Sequence, residues 1–152
     1  MSDFYIERVT EDTLGGIAEL ERLCFSRPWS KKALELLCAD RNIAFVARES
    51  GTGAVVAYGG MVTVLDEGQI TNIATHNDFR RKGLGFKIVS ALIEYARQNG
   101  IVSISLEVRQ SNLAAISLYK SLGFLEAGIR KNFYTSPKED GIVMILCTGD
   151  FS

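Results

Sequence analysis

The sequence predicts an α/β (α+β) domain: a mixed, mostly antiparallel sheet with a central parallel βαβ unit and helices on both faces. Three observations carry this expectation. Leu84, Ile88, Val89, Leu92, Ile93 and Ala96 recur at helical spacing and stop at Asn99-Gly100. Strand-like runs flank that helix, 69–75 before it and 101–109 after it. Hairpin-type patterns stand on either side of this unit, 42–48 with 54–65, and 124–132 with 141–147.

Taken in order, residues 4–9 alternate apolar and polar and read as a first strand. Thr10 is placed to cap the next helix, with Glu11 and Asp12 favouring its first turn. Gly15-Gly16 weakens the start of that helix, Ile17, Leu20, Leu23 and Cys24 restore an apolar stripe, and Pro28 ends it. Ser30 fits the cap of a following helix, with Trp29 packing back toward Leu34 as a staple. Glu49-Ser50-Gly51-Thr52-Gly53 joins the first hairpin, and Gly59-Gly60 inside its second strand signals a bulge or a close backbone approach. Asp66-Glu67-Gly68 turns the chain into the 69–75 strand. A second helix, 112–122, closes at Gly123.

The chain of 152 residues suffices for one core and is expected to be a single domain, 1–152. With 47% hydrophobic and 23% charged residues it reads as globular, and no apolar run reaches the roughly 20 residues of a membrane helix. The start lacks the basic and apolar regions of a signal peptide, so a cytoplasmic location is expected. Cys24, Cys38 and Cys147 are odd in number, widely spaced and on apolar patterns, which argues against a disulfide framework, and Cys147 reads as a small buried residue and not a nucleophile. One histidine and no Cys-x-x-Cys argue against a zinc site. A net charge of −1, with cations clustered at 80–82 and 130–131, suits a small anionic ligand and not direct nucleic-acid binding.

The chemistry centres on Arg80-Arg81-Lys82-Gly83-Leu84-Gly85, between the 69–75 strand and the long helix. The first turn of a helix leaves backbone N–H groups unpaired, and the macrodipole adds partial positive charge there. Glycines at 83 and 85 let a phosphate approach the backbone, and three cations precede them. No Gly-Lys-Ser/Thr makes this a Walker loop, and Ile88 stands where the dinucleotide fingerprint needs a small residue. In 101–109, Ser103, Ser105, Glu107 and Arg109 share one face of a strand that a parallel unit normally buries on both sides, so that face borders a wet cleft. Glu107 there is either an ion-paired carboxylate, with Arg109 as candidate partner, or a functional one.

Arg80-x-x-Gly83-x-Gly85 resembles the pyrophosphate-binding loop of the GCN5-related N-acetyltransferase (GNAT) superfamily, which binds acetyl-CoA. Pro28-Trp29-Ser30, Leu65-Asp66-Glu67, Asn72-Ile73-Ala74, Leu106-Glu107-Val108-Arg109, Ser111-Asn112, Leu118-Tyr119 and Ser121-Leu122-Gly123-Phe124 extend the likeness over nearly the whole chain. Within the superfamily they resemble the RimI-type ribosomal-protein alanine N-acetyltransferases. That resemblance implies the GNAT fold, acetyl-CoA as co-substrate, no metal, and direct transfer in a ternary complex. The implied acceptor is a protein N-terminus, the N-terminal alanine of small-subunit ribosomal protein eighteen. Alternatives are another N-terminus, a small amine, or a non-catalytic acyl-CoA-binding module. No nucleic acid or membrane partner is expected, and the protein is expected to be a monomer or weak dimer.

The resemblance also distributes roles. Glu107 matches the proton acceptor and Tyr119 the proton donor, although Ala115, Ile116 and Leu122 equally put Tyr119 on a core stripe. Ile73, Ala74 and Thr75 match backbone positions along the acetyl-pantetheine arm. Arg80, Arg81, Lys82, Gly83, Leu84, Gly85 and Phe86 match the pyrophosphate loop, and Asn112, a natural helix cap, contacts the cofactor. Trp29 and Tyr134 are candidate walls for the acceptor, and Asp66 or Glu67 candidate attractors of its ammonium. Trp29 equally reads as a loop anchor, and the 130–134 segment as a strand end. Thr75-His76-Asn77 departs from the family's valine and Pro-containing turn, and His76 has no nucleophile or ligand partner in the pattern, so it reads as incidental.

Overall fold

The computed structural model describes residues 3–25, 28–39, 41–135 and 137–148. Seven strands form one sheet: β1 (Phe4–Arg8), β2 (Asn42–Glu49), β3 (Val55–Val64), β4 (Glu67–Thr75), β5 (Ser103–Arg109), β6 (Leu125–Tyr134) and β7 (Glu139–Cys147). Their spatial order is β1-β2-β3-β4-β5-β7-β6. Every neighbouring pair is antiparallel except β4–β5. The expected βαβ unit is therefore present, with α3 (Leu84–Gln98) as its crossover. The closing hairpin inserts its second strand, β7, beside β5 and leaves β6 at the sheet edge.

Two cores sandwich the sheet. Leu84, Ile88, Val89, Leu92, Ile93 and Ala96 of α3 pack on one face, joined by Ile116 and Tyr119 of α4 (Leu113–Ser121). On the other, Leu14, Ile17 and Leu20 of α1 (Leu14–Cys24) meet Leu34 of α2 (Lys31–Glu35), Val46 and Tyr58. Each such Leu or Ile contributes about 1.5–3 kcal/mol by leaving water.

Local differences from the sequence reading have physical causes. A 3-10 turn, Glu11–Thr13, precedes α1; the buried Thr13 hydroxyl closes it by accepting from Thr10 N–H and donating to Thr10 C=O. Gly16 does more than weaken α1: a Cβ there would stand 2.8 Å from Val55 Cγ2, so the glycine permits close helix–sheet packing. α1 ends at Cys24, ahead of Pro28, and Ser30 caps α2 by accepting from Ala33 N–H at 3.1 Å. Both readings of Gly59-Gly60 hold. A Cβ on Gly59 would stand 2.5 Å from Ile88 Cγ2 of α3, and the register shifts between Gly60 and Met61. The extra residue of that bulge is on the partner strand: Gly60 faces Asn72 and Met61 faces Ile70, which leaves Thr71 unmatched.

Candidate active site

The parallel ladder is short. Glu67, Gly68 and Gln69 pair with Ser103, Ile104 and Ser105, and no pairing continues beyond them. The Thr71 bulge bends β4 at this point. From there the C-terminal halves of β4 and β5 part, and a cavity of about 900 Å³ opens between them. Ile70, Thr71, Asn72, Ile73 and Thr75 line it from β4, and Leu106, Glu107, Val108 and Arg109 from β5. A backbone edge without a neighbouring strand presents N–H and C=O groups to whatever fills the gap.

One wall is the start of α3. Gly83 is its N-cap at φ +75°, and Arg81 also adopts a left-handed conformation at φ +65°. Two such residues spaced by one curl the backbone into a concave turn whose N–H groups suit an anion. Open space surrounds the Cα of Gly83, while a Cβ on Gly85 would crowd Leu118 of α4 at 3.2 Å. Arg80, Arg81, Gly83, Leu84, Gly85 and Phe86 line the cavity. Arg80, Arg81 and Lys82 are exposed and form no ion pair among the described residues, which leaves their charge for a ligand. Asn112 lines the cavity too and caps α4, its Oδ1 accepting from Ala115 N–H at 3.2 Å.

Glu107 and Tyr119 border the same cavity from β5 and α4. The Glu107 side chain is 14% exposed; Oε2 accepts from Gln69 Nε2 at 3.3 Å and Oε1 pairs with Arg130 Nε at 3.3 Å. Arg130, not Arg109, is thus its cation. Arg109 instead pins the β6–β7 connection, donating from Nη1 to Pro137 C=O and to Glu139 Oε1 at 3.2 Å. Ser111 N–H donates to Glu139 Oε2 at 2.6 Å, and with Arg109 it holds that carboxyl below the usual carboxylate range. Burial pushes the Tyr119 phenol up to about 12, with Tyr134 adding to the shift. It is a proton-bearing hydroxyl at neutral pH. Tyr119 is also a core residue, packed edge-on against Phe124 at 5.6 Å, as its place on the apolar stripe implied.

Trp29 and Tyr134, from opposite ends of the chain, both line the cavity. The Arg109 guanidinium lies over the Tyr134 ring, 4.5 Å from its centroid. Burial, then the Glu107 carboxylate, raise the Tyr134 phenol. Four expected site residues are not brought into the lining. Ala74 is buried in the second core, Lys82 is exposed on the loop, and Asp66 and Glu67 sit at the zipped end of the β4–β5 pair. His76 accepts from Asp78 N–H at 3.1 Å and caps the 3-10 turn Asn77–Phe79 that leads into the glycine loop, a structural role. Cys147 is exposed, not buried, because it continues the face marked by its cross-strand neighbour Ser103. Cys38 is exposed as well.

The sequence reading missed Glu21, Asn72 and Gln69. Glu21 is 1% exposed on α1 and lines the cavity. Its signal was a carboxylate on the apolar stripe of Ile17, Leu20 and Cys24.

The Acetyltransferase (GNAT) family model matches residues 14–124. The chain belongs to this family. It is 40% identical over 129 residues to the [ribosomal protein bS18]-alanine N-acetyltransferase of Escherichia coli K12, covering 84% of this chain and 86% of that one. The Haemophilus ducreyi protein of the same name is 33% identical over 146 residues, covering 93% and 98%. The crystal structure of the Escherichia coli ribosomal-protein-S18-alanine N-acetyltransferase superposes with a TM-score of 0.90 at 35% identity, over 99% of this chain and 97% of that one. This GNAT enzyme thus has the family's sheet and helices. Among the described residues no helix is long and apolar enough to cross a membrane, and none groups three or more metal-ligating side chains.

Proposed function

We propose that the protein transfers the acetyl group of acetyl-CoA to the N-terminal α-amine of a protein, the N-terminal alanine of ribosomal protein bS18, by direct attack in a ternary complex. One observation carries this reading: the unzipped halves of β4 and β5 enclose a cavity that joins the glycine loop to Glu107 and Tyr119. The names of the relatives supply the acceptor.

The residues divide the work. The loop at 80–86 receives the pyrophosphate through backbone N–H groups and unpaired cations. The free edge of β4 at Ile73–Thr75 offers backbone groups to the amide-bearing arm of the cofactor. An α-amine with a pKa near 8 is largely ammonium at neutral pH and must lose a proton before it attacks. Glu107 accepts that proton, directly or through water. As the N–C bond forms and the C–S bond breaks, Tyr119 gives its proton to the departing sulfur, and the proton shed by the acylated nitrogen returns through water to the phenolate. A phenol held near 12 keeps that proton available throughout the neutral range. Attack is by the amine itself, so no acyl-enzyme is required.

The test is mass spectrometry of ribosomal-protein N-termini from cells with and without the protein, paired with acetyl-CoA turnover on peptides. Loss of acetyl from the bS18 alanine alone is the expected result. An unchanged bS18 terminus, with turnover on another amine, would move the acceptor and leave the chemistry standing.

A further inference from the structure

The acceptor end of the cavity holds a buried acid that the transfer chemistry does not use. Glu21, on α1, is almost fully enclosed, and both of its oxygens are engaged. Oε1 accepts from the backbone N–H of Trp29 at 2.9 Å, eight residues on, beyond the end of the helix. Oε2 accepts from the Tyr58 hydroxyl at 2.7 Å, and Tyr58 is fully buried in the middle of β3. A carboxylate in such a place costs several kcal/mol unless its partners are well set, and an apolar residue would fill the α1 stripe more cheaply. Trp29 itself is partly exposed and lines the cavity. Charge-assisted hydrogen bonds are about twice as strong as neutral ones and geometrically stricter. The arrangement ties a loop residue that lines the cavity to the buried middle of β3. Beside it, Asn72 Oδ1 is buried, without a hydrogen-bond partner among the described residues, in a side chain that also lines the cavity.

We propose that Glu21 is the positioning residue of the acceptor pocket: it brackets Trp29 to Tyr58 and so fixes the wall that limits the size of the acceptor's first residue. The inference rests on the proposed N-terminal acceptor. Glu21 acts through Trp29 and takes no part in proton transfer. Its loss should be felt in acceptor binding and selectivity, with cofactor binding unaffected.

The experiment measures kcat and KM for two peptides differing only in an alanine or phenylalanine start. The enzymes are wild type, Glu21→Ala, Glu21→Gln, Trp29→Ala and the double alanine variant, with acetyl-CoA affinity followed by calorimetry. Glu21→Ala should raise the alanine-peptide KM about tenfold, the scale of a small misplacement of a positioning group. It should also narrow the alanine preference toward that of Trp29→Ala and leave acetyl-CoA affinity within about twofold. The double variant should be no worse than Trp29→Ala, because both act on one wall. Glu21→Gln should recover most of the loss, since its amide oxygen accepts from Trp29 and its NH₂ donates to the Tyr58 oxygen. Multiplying penalties, a parallel fall in acetyl-CoA affinity, or a glutamine variant as impaired as the alanine one would overturn the proposal. If Glu21→Ala does not fold, Tyr58→Phe removes the core-side anchor alone, and unchanged selectivity in that folded variant counts equally against it. Trp29→Ala without any change in selectivity would defeat the acceptor-wall reading and this inference together, whereas a Trp29 effect with no Glu21 effect defeats this inference only.

Discussion

β4 and β5 are two different objects along their length. At their N-terminal ends, Glu67–Gln69 and 103–105 are zipped into a parallel ladder that holds the crossover in place. At their C-terminal ends the same strands share no ladder, and Glu107, Tyr119 and the glycine loop line the gap. Gln69 on the zipped side reaches across to Glu107 on the open side. What separates the two halves is one unmatched residue, Thr71, next to the Gly60–Asn72 and Gly59–Ile73 pairs, whose glycines let Leu37 and α3 press in on the sheet. A sheet becomes a site here by failing to pair, and the failure is built in by packing.

The largest expected effect tests the open half directly. Glu107→Gln keeps the size of the side chain and a hydrogen bond to Gln69 but cannot take a proton. Its kcat should fall about a hundredfold at pH 7 while acetyl-CoA affinity holds. The sign with pH is fixed: as pH rises past the amine's pKa near 8, free amine appears without help and the deficit shrinks. A pH–rate profile parallel to wild type would assign the proton to another acceptor. Next in size is Gly83→Asp, at the mouth of the gap. A carboxylate would face the pyrophosphate, and a φ of +75° costs an L-residue about 1 kcal/mol. Calorimetry should show acetyl-CoA affinity weakened about tenfold or more in a folded protein. Retained affinity would detach the glycine loop from phosphate binding.

Gly59→Ala probes the branch point itself. The new Cβ would stand 2.5 Å from Ile88 Cγ2 and 2.6 Å from Ile73 Cδ1, so α3 or the open half of β4 must shift. Denaturant unfolding should report a loss of about 1–3 kcal/mol, the usual range for overpacking a core. Acetyl-CoA affinity should fall with it if the proposed cofactor edge holds, because Ile73 lines the cavity. Destabilisation with wild-type cofactor binding would mean that the yielding element is the helix.

Periodicity carried the helix of Leu84–Gln98, the alternation of Ser103–Arg109 and the glycine turn between strand and helix, because each is a local pattern. It could not say where a ladder stops. Bulges and splay depend on what packs behind Gly59 and Gly60, which is a tertiary fact. Pairing partners were hidden for the same reason. Arg109 is nearer Glu107 in sequence, yet β7 lies between β5 and β6, and cross-strand register brings Arg130 to the carboxylate. Glu21 stood out only as a carboxylate on an apolar stripe, and its hydrogen bonds to Trp29 and Tyr58 depend on the fold.

The smallest effect belongs to the zipped half and sharpens the contrast from that side. Asp66 and Glu67 carry negative charge at the closed end of the pair, outside the cavity lining, and both are exposed. Any pull they exert on an incoming ammonium acts through water, where a unit charge at contact is worth only about 1 kcal/mol and a Debye length at physiological salt is about 8 Å. Neutralising both, as Asp66→Asn with Glu67→Gln, should therefore leave kcat unchanged. The acceptor KM should rise about twofold at low ionic strength, and the difference should vanish at about 0.15 M salt. Steady-state kinetics across a salt series reads this directly. A large KM penalty that persists at high salt would mean the acceptor chain lies along the zipped half as well, and the division of labour between the two ends of β4 would fail.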